Sequence, residues 1–98
     1  MTHLEIEEET QAIERAMAYV KLSDLRRARA WLLDAMHANE GYLAELCRVR
    51  GELVHAQIEM RESLTGLRGA IAWWVLPTST SKWGWRRLTE LPSQRALM

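Results

Sequence analysis

The residues with chemical character gather at one end of this chain. Four of its five tryptophans, Trp73, Trp74, Trp83 and Trp85, fall in the last quarter of 98 residues, beside Lys82, Arg86 and Arg87. Indoles next to cations suit recognition rather than turnover. An indole buries a large apolar area while keeping one N–H donor, and arginine presents a planar fork to carboxylate or phosphate. Three kinds of ligand fit the pairing: an acidic groove on another protein, single-stranded nucleic acid stacked on the indoles, or an anionic membrane surface. Along Lys82-Trp83-Gly84-Trp85-Arg86-Arg87 an extended backbone would put both tryptophans on one side, because side chains alternate along a strand. The intramolecular alternative is that Trp83 and Trp85 fold back on the preceding helix, with arginines stacked over the rings.

Other chemistry is missing from the pattern. His3, His37 and His55 lie far apart, and none has another His or Cys47 at the i, i+4 spacing of a helical zinc site. Glu52, His55 and Glu59 share a helical face, which reads as a solvated, salt-bridged surface. There is no glycine-rich phosphate loop, no nucleophile elbow and no base positioned for Cys47. We expect no enzyme activity, no cofactor and no metal. A DNA-reading turn at Gly41 is disfavoured by Asp34, Glu40 and Glu45 around it, and Arg26, Arg27 and Arg29 are bracketed by Asp24 and Asp34 as an exposed basic face.

The elements that would position the aromatic cluster follow from composition and period. Ninety-eight residues make one domain that buries about two-thirds of its unfolded surface, so its stability margin is thin. Phe is absent, whereas Met and Trp, residues that interfaces favour, number five each. Net charge is zero but segregated. Glu5, Glu7, Glu8, Glu9 and Glu14 stand in the first fourteen residues without a cation, while Arg68, Lys82, Arg86, Arg87 and Arg95 face Glu90 alone in the last thirty-six. Such ends attract one another or steer different partners. Cys47 is the only cysteine, which excludes an intrachain disulfide and points to the cytoplasm. The acidic N-terminus lacks a signal-peptide core, and the apolar stretch from Gly69 to Leu76 is far shorter than the about 20 residues that span a bilayer.

Thr2 and Glu5 have capping-box spacing, and Ile6, Ile13, Met17 and Val20 recur at helical intervals, predicting a first helix over 3–21. Ser23 and Asp24 are N-cap residue types before Leu25, Ala28, Leu32, Ala35 and Met36, predicting a second over 24–38. A single helix over 3–38 is the alternative. Asn39, Glu40 and Gly41 break the pattern. Leu46, Leu53, Met60, Leu67 and Trp74 then repeat every seven residues, flanked by Leu64 and Ile71, predicting one long helix over 42–75 that ends before Pro77. That helix would overhang the first two. Its apolar seam of Leu46, Leu53, Met60, Leu64, Leu67 and Ile71 then needs a cover: the tail over 77–98, a second copy, or another protein. The expected fold is all-α, an antiparallel hairpin or three-helix bundle with an irregular Trp-rich tail.

Residues 9–41 resemble one tetratricopeptide repeat. With Ala16 on its first small position, Tyr19, Ala28, Leu32 and Ala35 fall on the aromatic, small, large and small positions that follow, while Ala12, Arg15 and Glu40 replace the usual Trp, Leu and Pro. The resemblance implies protein binding, with the third helix capping the lone repeat. At the level of class, the chain is also similar to small phage-encoded inhibitors of host proteins. We therefore expect a non-enzymatic protein-binding module, an adaptor or inhibitor occluding a surface of a larger cytosolic protein, with Trp73, Trp74, Trp83, Trp85, Arg86 and Arg87 as partner-binding residues. On that reading neither nucleic acid nor membrane is a partner. The alternatives are a nucleic-acid-associated regulator using the basic tail, and a homodimer paired as a coiled coil along the seam.

Overall fold

The computed structural model describes residues 1–66 and 76–92, with the side chain of Thr65 left aside. Among these residues the fold is all-α. Four helices follow in order: α1 His3–Met17, α2 Leu22–Ala38, α3 Gly41–Gly66 and α4 Lys82–Thr89. Four members of the expected aromatic and apolar series, Leu67, Ile71, Trp73 and Trp74, lie outside the described residues.

The hydroxyl of Thr2 accepts from the Glu5 amide at 3.2 Å, so α1 starts with the cap its sequence announces. It stops at Met17, four residues short of the expected end. The continuous helix over 3–38 does not form, because Lys21 is extended (φ −71°, ψ 159°) and begins α2 as its N-cap. Two distant contacts hold that break. Arg61 of α3 donates to the carbonyls of Met17 (2.6 Å) and Val20, and the Lys21 amide donates to the Thr80 hydroxyl at 3.0 Å. Ser23 and Asp24, expected to cap, instead sit inside the first turn of α2. The Asp24 carboxylate is spent on Thr80 and Arg27.

At the next turn Asn39 is extended, and its side-chain amide donates to the Ala35 carbonyl at 2.7 Å, closing the end of α2. Gly41 turns the chain at φ 61°, a left-handed conformation that other residues adopt at a cost. Helices α2 and α3 then run antiparallel, with Arg29 opposite His55 and Arg26 opposite Glu62. Since α2 reaches Glu62, it accompanies α3 almost to Gly66, and the expected overhang is absent over the described length.

The core draws on every helix. Ile13, Ala16 and Met17 of α1, Leu25, Ala28 and Leu32 of α2, Val54 and Ile58 of α3 and Leu88 of α4 are all buried. Each buried Val, Leu, Ile or Met side chain among them contributes about 1.5–3 kcal/mol relative to exposure. Two arginines are buried with them, and both serve helix ends. Arg61 closes α1, its guanidinium pKa lowered by burial. Arg50 of α3 pairs with Glu9 of α1 and donates to the carbonyls of Glu90 (2.8 Å) and Leu88 (3.4 Å), where α4 ends. A cation at a helix C-terminus satisfies carbonyls that lack intrahelical donors and meets the negative end of the dipole.

Segment 82–89 is a helix where the sequence reading has an irregular tail. Ser81 is its cap, with the hydroxyl accepting from the Gly84 amide at 2.9 Å and the backbone N–H donating to the Tyr19 carbonyl at 2.9 Å. Gly84 and Leu88, one turn apart, face inward. The backbone at Gly84 comes so near α1 that a β-carbon would sit 3.0 Å from the Ala16 carbonyl oxygen. A glycine in this helix is therefore a packing requirement, its helix-weakening character offset by the close approach it permits.

Candidate functional site

Helical geometry divides the Lys82–Thr89 segment into faces, and this decides what its aromatic and basic residues can do. Residues two apart on a helix point about 200° apart, so Trp83 and Trp85 diverge instead of lying on one side. Trp85 turns inward and is half-buried against the core. The guanidinium of Arg27 lies over its ring, 5.3 Å from the centroid, and bonds Asp24 at 3.1 Å. The fold-back expected onto the long helix takes another form here: α4 packs on α1 and α2, and the cation over Trp85 comes from α2 instead of from the tail.

Trp83 points outward and keeps 55% of its surface exposed. Its ring stands edge-on to Tyr19, with centroids 5.5 Å apart and planes at 79°, and Tyr19 is itself 55% exposed. Both backbones are pinned, since the Tyr19 carbonyl accepts from Ser81 and Ser81 caps α4. The pair thus projects as one aromatic surface from two backbones that are tied to each other. A cleft of about 330 Å³ lined by Trp83, Arg86, Arg87 and Glu90 shares the Trp83 ring.

The two arginines differ. Arg86 is exposed, whereas Arg87 is half-buried and bonds the Glu9 carboxylate at 3.2 Å. Glu9 holds Arg50 with its other oxygen. The acidic start and the basic end of the chain therefore meet inside one molecule, through Glu9 and Arg87. That leaves Arg86 and Lys82 as the outward cations of α4.

Of the seam residues, Leu46 is buried and Leu53 half-buried, so the first half of the seven-residue repeat is consumed within the bundle. Met60 is exposed and Leu64 half-buried. Between α2 and α3 runs an apolar groove of about 400 Å³ over Gly51, walled by Leu32, Leu33 and Met36. Cys47 lies buried at its floor, where loss of hydration pushes its thiol pKa up against the opposing charge of Arg50. Of the positions shared with the tetratricopeptide pattern, Ala16, Ala28 and Leu32 are buried, Ala35 is half-buried and Tyr19 is on the surface.

His55 takes its Glu59 neighbour at 3.1 Å, while Glu52 turns to Arg48 at 3.1 Å, so the expected salt-bridged face is present. Among the described residues no group of His, Cys, Asp and Glu is arranged to hold a metal ion, and no helix is long and apolar enough to cross a membrane. Comparison of the chain with protein-family models, curated proteins and solved structures finds no match.

Tyr19, Arg27 and Glu9 belong to this surface and were not among the expected site residues. Each is separated from its partner on α4 by more than fifty positions in sequence, and no local pattern announces such a contact. Charge segregation between the two ends is the one signal that bears on it, and it names no particular pair.

Proposed function

We propose that this protein is a non-enzymatic binding module, an adaptor or inhibitor that occludes a surface of a larger cytosolic protein, of the kind to which small phage-encoded inhibitors belong. The observation that carries the reading is Trp83, more than half exposed on a helix fixed at both ends and braced by the equally exposed Tyr19. Large exposed aromatics on rigid backbone are the residues that dominate binding energy when a partner covers them, and Arg is enriched beside them. Arg86 supplies that charge here. The matching partner surface has an apolar pocket for the indole with a carboxylate at its rim.

The structure-guided division of labour narrows the residue set. Trp83, Tyr19 and Arg86 are the outward anchors; Trp85 and Arg87 support them from within, through Arg27 and Glu9. Base stacking on the tail has less to support it, since one face of Trp85 already carries a guanidinium.

The test is capture from nuclease-treated lysate with the wild-type chain and with Trp83→Ala, the variant first shown to keep the wild-type unfolding midpoint. A stoichiometric protein retained by the first and released by the second, and whose complex persists in high salt, is the expected result. Retention of that protein by Trp83→Ala would end the proposal. Recovery of nucleic acid alone, lost with added salt, would transfer the role to the regulator reading.

A further inference from the structure

The groove over Gly51 is walled by α2 and α3 alone, and α1 meets α3 on another face, through Arg50 and Arg61. Leu32 and Cys47 are buried in its floor, while Leu33 stands at its edge with 52% of its surface exposed. We propose that a second copy of this chain docks in this groove, with α2 of each copy lying over α3 of the other.

Register makes the face self-complementary. Arg29 bonds His55 at 3.1 Å, and because α2 and α3 run antiparallel, four residues on from Arg29 and four back from His55 set Leu33 across the groove from Gly51. Half a turn about an axis along the groove exchanges its two sides. Leu33 of each copy then lies over Gly51 of the other, and every neighbouring pair of helices is antiparallel, as in an up-and-down four-helix bundle. Leu33 is the knob and Gly51 the hole. The glycine itself points the same way. Glycine inside a helix weakens it, and at Gly84 the close approach of α1 accounts for the residue. At Gly51 an added β-carbon would meet nothing within 4 Å, so no contact among the described residues calls for glycine there. A facing Leu33 does.

Charge favours a second copy over other partners. The rim carries Arg29 and Arg48 against Glu52 and, bonded to His55, Glu59. These sum to zero with the signs interspersed. A strongly acidic or strongly basic helix would meet like charge, whereas the same pattern rotated onto itself does not. The rotation that seats Leu33 brings Arg29 over His55 of the second copy, between that copy's Glu52 and Glu59. Among the described residues Arg29 has His55 and no carboxylate as partner, so the contact supplies the missing anion. Area sets the strength. The 17 residues of α2 are about 25 Å long, and two helices side by side are about 20 Å wide. About 500 Å² per copy is less than the about 800 Å² of a standard interface, so the dimer is weak.

The experiment is sedimentation equilibrium of the full chain from about 10 µM to about 1 mM, repeated with Leu33→Glu, an exposed position whose unfolding midpoint in dilute solution should match the wild type. The expected result is a monomer–dimer equilibrium with its Kd inside that range, weakened at least about tenfold in Leu33→Glu. Trp83→Ala should leave it unchanged, which separates this face from the docking surface. Oxidation of a mixture of Leu33→Cys and Gly51→Cys chains should link the two variants to each other in preference to either with itself. A monomer mass up to the highest concentration, a dimer equally strong in Leu33→Glu, or no preference in the cross-link would overturn the proposal. So would a lysate protein that a monomeric wild type holds and Leu33→Glu releases, which would give the groove to a different partner.

Discussion

Adding one methyl group at residue 84 tests the packing of α4 most directly. The new carbon of Gly84→Ala would meet the Ala16 carbonyl oxygen at 3.0 Å, Val20 Cγ2 at 3.0 Å and Ser81 Oγ at 3.1 Å. None of the three yields easily: the carbonyl is helix backbone, Val20 is fully buried, and the Ser81 hydroxyl is held as a cap. Two effects of opposite sign compete. Alanine favours helix over glycine by about 1 kcal/mol, while overpacking a tight contact costs about 1–3 kcal/mol. The net expectation is a loss of about 1 kcal/mol, a drop of roughly 4–8 °C in Tm for a domain this size. Detachment of α4 would also forfeit the burial of Leu88, worth about 1.5–3 kcal/mol, so the helix shifts by tenths of an ångström and stays docked.

Gly51→Ala is the matched control. It lies within α3, and a β-carbon there meets nothing within 4 Å, so only the propensity gain of about 0.5–1 kcal/mol applies. Urea unfolding of both variants, followed by circular dichroism, should separate them by about 2 kcal/mol in opposite directions from the wild type. If Gly84→Ala proved as stabilising as Gly51→Ala, the close approach of α4 to α1 would be refuted.

Two further outcomes follow from the charged contacts. Glu9→Ala strands the buried Arg50 with only carbonyl partners and releases Arg87, which should cost about 3 kcal/mol; urea unfolding would show it, and a loss under about 0.5 kcal/mol would contradict the network. The Thr80 hydrogen bond, then Arg27 and Lys21, hold the Asp24 pKa below its ordinary value despite opposing desolvation. A lowered folded pKa gives stability that is present above the unfolded carboxylate value of about 4 and is lost as pH falls through the folded value. Asp24→Asn should therefore flatten the acid side of a stability profile taken from about pH 6 downward, and an unchanged slope would exclude Asp24 as a contributor.

Much of the candidate site was legible as composition and little of it as geometry. Trp83 and Arg86 stood out by type and crowding. Which of the two tail tryptophans faces outward depended on whether residues 82–89 were extended or helical. A Ser81 cap, a glycine, and Arg86 and Arg87 in the last turn make a short helix that has no stability of its own in water. It forms because Leu88, Gly84 and the carbonyls of Leu88 and Glu90 find α1 and Arg50 already in place. The likeness of the two chain ends to opposite poles was visible, but the pairing of Glu9 with Arg87 was not.

The sequence by itself determined the all-α class, the Thr2 cap, the break at Asn39–Gly41 and the apolar faces of α1 and α2, because each is written in residues within a turn or two of one another; on α3 the seven-residue seam named Met60, which is exposed, and missed Val54 and Ile58, which are buried. The end of α1, the start of α2 at Lys21, the existence of α4 and the exposure of Trp83 beside Tyr19 were decided by tertiary structure alone. In each case the deciding bond comes from far along the chain: Arg61 at Met17 and Val20, Thr80 at Lys21, Ser81 at Tyr19. Helix ends leave backbone groups without local partners, and where those groups are satisfied from a distance, the boundary belongs to the fold and not to the segment.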